Sequence, residues 1–214
     1  MRLIDQIQEN GIVAVIRGTS PDNIVAIAKS LHKGGVKTLE ITVETPKVLS
    51  LIEQVAEELG DEVIVGAGTV LDPETARAAI MAGARFIFSP TVNKETIKVA
   101  KRYGVVSIPG ALTPTEILTA YENGADIIKV FPANVFGPSY IKDIHGPMPQ
   151  IPLMPTGGLD VDNVGAYIKN GAVAAGIGSS LVNMKQQVNE EFLINLENKA
   201  RQFVDAVKEA RSSL

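Results

Sequence analysis

Residues 121–134 read YENGADIIKVFPAN, in which a helix-like end, a glycine, an apolar run and a lysine follow in turn. Ile127, Ile128, Val130 and Phe131 suit a pleated, covered strand. Gly124 stands where a helix ends, at the position that takes a left-handed backbone at low cost. The same junction recurs as AGAR at 82–85 and NGAV at 170–173, so the chain repeats one unit of helix, glycine and strand. Lys129 lies inside its strand. Removing an ammonium from water is costly, so this lysine needs either a carboxylate partner or a chemical purpose.

Working outward, eight β-rich runs appear: IVAVIR (12–17), KTLEITV (37–43), EVIVGA (62–67), ARFIFS (84–89), VVSIP (105–109), DIIKVF (126–131), IPLMPT (151–156) and VAAGIG (173–178). Between them lie segments with apolar residues at three- and four-residue spacing, such as IVAIAKSLHK (24–33) and NKETIKVAKRYG (93–104). This alternation predicts successive βα units, and no Gly/Ser/Pro linker divides them. The expected fold class is α/β: a (β/α)8 TIM barrel, one domain over residues 1–214. Residues 1–10 read as an extra N-terminal helix plugging one end. Phe192, Leu196, Phe203 and Val207 mark the last outer helix. A doubly wound open sheet is the rival, disfavoured by eight strands without an inserted domain.

With 214 residues, 45% of them hydrophobic and 21% charged, the chain can bury a sizeable core. A net charge of −4 without a Lys/Arg cluster argues against nucleic acid. Cysteine is absent, which excludes disulfides and thiol nucleophiles. The polar start MRLIDQIQEN lacks the apolar core of a signal peptide, and no stretch is long enough to span a bilayer. A cytoplasmic protein without membrane contact is the expectation. The two histidines, His32 and His145, read as surface or capping residues, and no metal-ligand cluster is expected.

In such barrels the chemistry gathers at the C-terminal ends of strands. Strand alternation puts Ile127, Lys129 and Phe131 on one face, and Glu40, Thr42 and Glu44 on another. Arg17 ends the first run, Thr69 closes the third and Pro90 follows the fourth. Barrel closure would collect these groups around one mouth. Lys129 then has two readings, a buried ion pair with Glu40 or a reactive amine. The company it keeps favours the second, because perturbed titrating groups gather at active sites. A neutral amine suits Schiff-base chemistry; burial and Arg17 would lower its reference pKa of about 10.4, and Glu40 would oppose them. After the last two strands, Thr156-Gly157-Gly158 and Gly178-Ser179-Ser180 form loops that suit a phosphate.

The motifs LEITVET, VGAGTVLDP, FIFSPTVN, IPGALTPTE, IIKVFPAN, MPTGG and GIGSSLV together resemble, in order, those of the 2-keto-3-deoxy-6-phosphogluconate (KDPG) / 4-hydroxy-2-oxoglutarate (KHG) aldolase family. The resemblance implies a class I aldolase that needs neither metal nor cofactor, takes a small keto-acid phosphate, and is usually a homotrimer. By the same resemblance, Lys129 carries the Schiff base and Glu40 is the acid/base. Thr69, Pro90 and Phe131 would line the pyruvate pocket, and the glycines and serines of the two loops would hold phosphate. One position departs: where a branch of the family has an arginine that grips the substrate carboxylate, this chain has Glu44. Arg17 is the expected substitute cation, with Glu44 turned outward or on a substrate hydroxyl. The expected reaction is cleavage of KDPG to pyruvate and glyceraldehyde 3-phosphate, with KHG as a further substrate. The alternatives are 2-keto-3-deoxy-6-phosphogalactonate, a phosphate-binding isomerase or epimerase using Glu40 as base, and a non-catalytic module.

Overall fold

In the computed structural model, which describes residues 1–60 and 62–214, strands and helices alternate along the chain. The strands are β1 (Ile12–Ile16), β2 (Thr38–Thr42), β3 (Ile64–Gly68), β4 (Phe86–Phe88), β5 (Val106–Ile108), β6 (Gly110–Ala111), β7 (Ile128–Val130), β8 (Leu153–Pro155) and β9 (Ala175–Ile177). The helices are α1 (Leu3–Asn10), α2 (Pro21–Lys33), α3 (Val48–Leu59), α4 (Pro73–Met81), α5 (Lys94–Arg102), α6 (Pro114–Glu122), α7 (Ser139–His145), α8 (Val161–Lys169) and α9 (Glu190–Ser212). Their starts follow local chemistry. The Asp72 side chain accepts from Thr75 N, with Pro73 opening the helix. Thr113 and Glu116 form a reciprocal capping box, and the Asn189 side chain accepts from Phe192 N. Each satisfies N–H groups that the first turn leaves without an intrahelical partner.

All strand pairs are parallel, in the orders β5-β4-β3-β2-β1-β9 and β6-β7-β8. The hydrogen-bonded ladder is therefore a curled set of six strands and three, not the one continuous eight-strand sheet expected. Pro109 accounts for one break: the fifth run passes through it, and a residue without N–H cannot donate to a ladder. Its carbonyl still accepts from Lys129 N at 2.9 Å. Across the other seam, Val173 N donates to Leu153 O at 3.0 Å and Thr156 makes an isolated parallel bridge to Gly176.

Strand alternation sorts the apolar residues into two cores. Val13, Ile64, Phe86, Phe88, Ile127 and Met154 join an inner cluster among the strands, and Ile7 of α1 joins them from one end, as the plugging role predicts. Leu39, Ile41, Ile87 and Ile128 face the other way, into a larger layer shared with the helices. Gly66 makes room for the inner layer, since a Cβ there would lie 2.4 Å from the Phe86 ring. Phe192, Leu196, Phe203 and Val207 are buried along α9, as their spacing predicts. No described helix is long and apolar enough to cross a membrane.

Arg211, near the end of α9, fastens the two ends of the chain together. Its guanidinium donates to Glu9 O at 2.7 Å and to Gln8 O, carbonyls that would otherwise be left at the end of α1, and to Val173 O, just before β9, at 2.9 Å. Arg211→Ala should lower unfolding free energy by about 1–3 kcal/mol and loosen α1 first. Urea unfolding would show the loss, and hydrogen exchange would locate it in residues 3–10.

Candidate active site

A cavity of about 390 Å³ opens at the C-terminal ends of the strands. Each parallel strand ends at the same rim, so residues distant in sequence meet there. Arg17 follows β1, Glu40 stands on β2, Thr69 follows β3, Pro90 follows β4, and β7 supplies Lys129 with Phe131 just beyond. Thr156, Gly157 and Gly158 follow β8, and Gly178, Ser179 and Ser180 follow β9. Every site residue expected from the sequence lines this one cavity. Val15 and Leu159 line it as well, and nothing in their apolar character marks them in advance.

Lys129 is 6% exposed, and its Nζ lies 4.3 Å from the ring centre of Phe88 and 4.6 Å from that of Phe131. Aromatic faces attract a cation, yet they also exclude the water that would solvate it. Burial thus holds the amine below its ordinary pKa; Glu40 pulls it back up, and Arg17 pushes it down again. Among the described residues Lys129 forms no salt bridge. The ion-pair reading therefore fails at contact distance, although the two charges feel each other across the cavity. Phe88 is a contact the sequence reading overlooked; its place two residues after Phe86 on a strand was the available signal.

Glu40 is 1% exposed and, among the described residues, its Oε2 has no hydrogen-bond partner. Burial pushes its carboxyl up to about 7, against the lowering pull of Lys129 and Arg17. A carboxyl that titrates near neutrality can give and take protons within one turnover. Thr42, on the same face, bonds Thr45 instead, with their hydroxyl oxygens 3.3 Å apart, and Thr45 Oγ1 accepts from Gly18 N at 3.0 Å. These contacts join the turn after β1, which carries Arg17, to the turn after β2, which carries Glu44.

Arg17 pairs with Glu44 and lies 3.4 Å from Thr69 Oγ1. Glu44 does not line the cavity; it points to Arg17. Thr69 has a φ of 58°, a left-handed backbone that a β-branched residue adopts only under strain. Thr156 is buried, with its Oγ1 unpartnered among the described residues. Gly157 and Gly158 have φ values of 96° and 75°, which glycine alone tolerates readily. Among the described residues, the N–H groups of Gly157, Gly158, Ser179 and Ser180 make no hydrogen bond. Four free donors in two facing loops suit an anion. The Ser180 hydroxyl is already committed to Leu159 O at 2.5 Å, so that residue would offer its backbone.

The histidines lie elsewhere. His32 Nδ1 is 3.1 Å from Glu62 Oε2, and His145 Nε2 is 3.0 Å from Ile151 O. No group of three His, Cys, Asp or Glu residues is arranged to hold a metal among the described residues. The site's resources are a desolvated amine, a carboxyl poised near neutrality, one cation at the rim and a row of amide donors.

Residues 3–195 match the family of KDPG and KHG aldolases. The chain is 34% identical over 200 residues to the 2-dehydro-3-deoxy-6-phosphogalactonate aldolase of Escherichia coli K12, covering 93% of this chain and 95% of that one. It is 38% identical over 162 residues to the 2-dehydro-3-deoxy-phosphogluconate aldolase of Pseudomonas aeruginosa, covering 75% and 73%. Among solved structures it resembles the KDPG aldolase of Legionella pneumophila, in which pyruvate was captured at low pH as a covalent carbinolamine. That match has a TM-score of 0.78 and 28% identity over 94% of this chain and 93% of that one.

Because Lys129 lowers the carboxyl of Glu40, deleting its charge should raise that carboxyl further above about 7. Carbon-13 NMR of Lys129→Met protein with labelled glutamate δ-carbons would follow it; an unchanged midpoint would mean the two groups do not interact.

Proposed function

The chain belongs to the KDPG and KHG aldolase family, whose members are carbon–carbon lyases working through pyruvate, and on that footing we propose that it is a cytoplasmic class I aldolase cleaving KDPG to pyruvate and glyceraldehyde 3-phosphate. The observation that carries this is Lys129, a buried amine without a contact ion pair, in a cavity that also holds Glu40. KHG, cleaved to pyruvate and glyoxylate, is the secondary substrate. A second reading, 2-keto-3-deoxy-6-phosphogalactonate as substrate, draws on the fuller coverage of the Escherichia coli relative.

In the proposed mechanism, neutral Lys129 attacks the C2 ketone to give a carbinolamine, which loses water to become an iminium. Glu40 as carboxylate accepts the C4 hydroxyl proton while the C3–C4 bond breaks, and that bond's electron pair passes into the enamine. The aldehyde leaves as glyceraldehyde 3-phosphate. Protonation of the enamine at C3 and hydrolysis of the iminium release pyruvate and restore the amine. Arg17 holds the substrate carboxylate in this reading, and Thr69, Pro90 and Phe131 line the pyruvate portion. Thr156 with the amides of Gly157, Gly158, Gly178, Ser179 and Ser180 receives the phosphate. Anchoring that distant group helps place the scissile bond.

The proposal also keeps the architecture as one (β/α)8 domain over residues 1–214, with β5 and β6 as two halves of one strand. Support comes from the short links at both seams. A homotrimer is part of it: Leu71, Met81, Val135 and Phe136 are each more than half exposed, apolar surface that a partner copy would cover.

Borohydride added with pyruvate should leave a reduced adduct on Lys129, whereas an isomerase or epimerase would acquire none. Lys129→Ala should lose both adduct and cleavage, and Glu40→Gln should lose cleavage by about 10²–10⁴-fold. Both Lys129 and Glu40 act deprotonated, so kcat/KM should rise with pH through about 7. Arg17→Ala should raise KM for keto acids; an unchanged KM would reject its assignment. Pyruvate release from the gluconate, galactonate and oxoglutarate aldols would rank the substrates.

A further inference from the structure

Gly68 closes β3 in the segment VGAGTV and faces the cavity wall beside β2. A Cβ built on it would fall 1.5 Å from Glu40 Oε1, 2.2 Å from Cδ and 2.4 Å from Cγ. The Glu40 side chain thus lies across bare backbone, in the space any other residue would fill. Gly68 is not among the glycines with positive φ, so its backbone angles do not call for glycine; the neighbour's volume does. Its carbonyl accepts from Val43 N at 2.8 Å, which ties this stretch of β3 to the end of β2. Among the described residues no donor bonds the Glu40 carboxyl, so packing rather than hydrogen bonding fixes where it points.

We propose that Gly68 is a positioning residue: by lacking a side chain, it seats the Glu40 carboxyl within reach of the substrate carbon skeleton. The inference rests on the aldolase reading, in which Glu40 moves the protons. Lys129 stands on β7 and attacks with its own electron pair, so the end-point yield of the pyruvate Schiff base does not depend on this seat, although Glu40 also serves the carbinolamine's protons. Blocking the seat therefore separates two steps that usually fail together. Schiff-base formation survives, and proton transfer to and from the bound enamine does not.

The test uses the full-length protein with pyruvate in deuterated water. Gly68→Ala should still be trapped by borohydride on Lys129, to within about threefold of the unsubstituted protein. Its exchange of pyruvate methyl protons, and its aldol cleavage, should fall by about 10²-fold or more. Glu40→Ala removes Cγ and the carboxyl that the new Cβ would meet, so in that background Gly68→Ala should change exchange by no more than about threefold. Exchange by Gly68→Ala at the unsubstituted rate, or a further loss of about tenfold or more in the Glu40→Ala background, would overturn the proposal. If Gly68→Ala does not fold, the comparison is the double variant Gly68→Ala with Glu40→Ala against Glu40→Ala. Rates within about threefold of each other support the seat, and a further loss of about tenfold or more overturns it. Failure of the unsubstituted protein to trap pyruvate would instead overturn the aldolase reading, a distinct result.

Discussion

Desolvation of two ionisable side chains governs this molecule's active end. Lys129 and Glu40 are withdrawn from water into one cavity, yet neither has the contact partner that normally offsets such burial. An exposed pair would stay charged and inert near neutrality. Here burial outweighs mutual attraction in both groups, drawing the amine down and the carboxyl up. A direct salt bridge would be easier to bury, but it would hold the amine protonated and unable to attack a carbonyl.

The fold sustains that arrangement by dividing labour between the ends of the strands. Away from the mouth, Ile7 of α1 and the rings of Phe86 and Phe88 fill the interior, and Arg211 ties the last helix to the first. Toward the mouth the side chains turn polar, and the backbone departs from strand geometry at Thr69, Gly157 and Gly158. Phe88 belongs to both regions: it packs in the inner cluster and presents its face to the Lys129 ammonium. The apolar interior is therefore the wall that desolvates the amine, and core packing and reactivity share one cause.

At the rim, one cation and one carboxylate stand side by side. The carboxylate here turns to Arg17 instead of into the cavity. Arg17 and Glu44 are both well exposed, so their attraction is weakened by water. In the proposed role of Arg17 as an anchor, a substrate carboxylate would compete with Glu44 for the same guanidinium.

By itself the sequence determined the repeating βα unit, the helix plug, the face on which each strand residue stands, and the set of groups gathered at the mouth. Those features follow from local rules: strand alternation, helical spacing and glycine at helix ends operate over a few residues and are written in residue type. Tertiary structure alone decided the absence of a contact pair between Lys129 and Glu40, the turn of Glu44 toward Arg17, and the bed that Gly68 makes for Glu40. Each of these is a matter of distance between segments far apart along the chain. Residue type limits what a side chain can do, whereas the separation of two side chains on different strands depends on how all the strands twist and close.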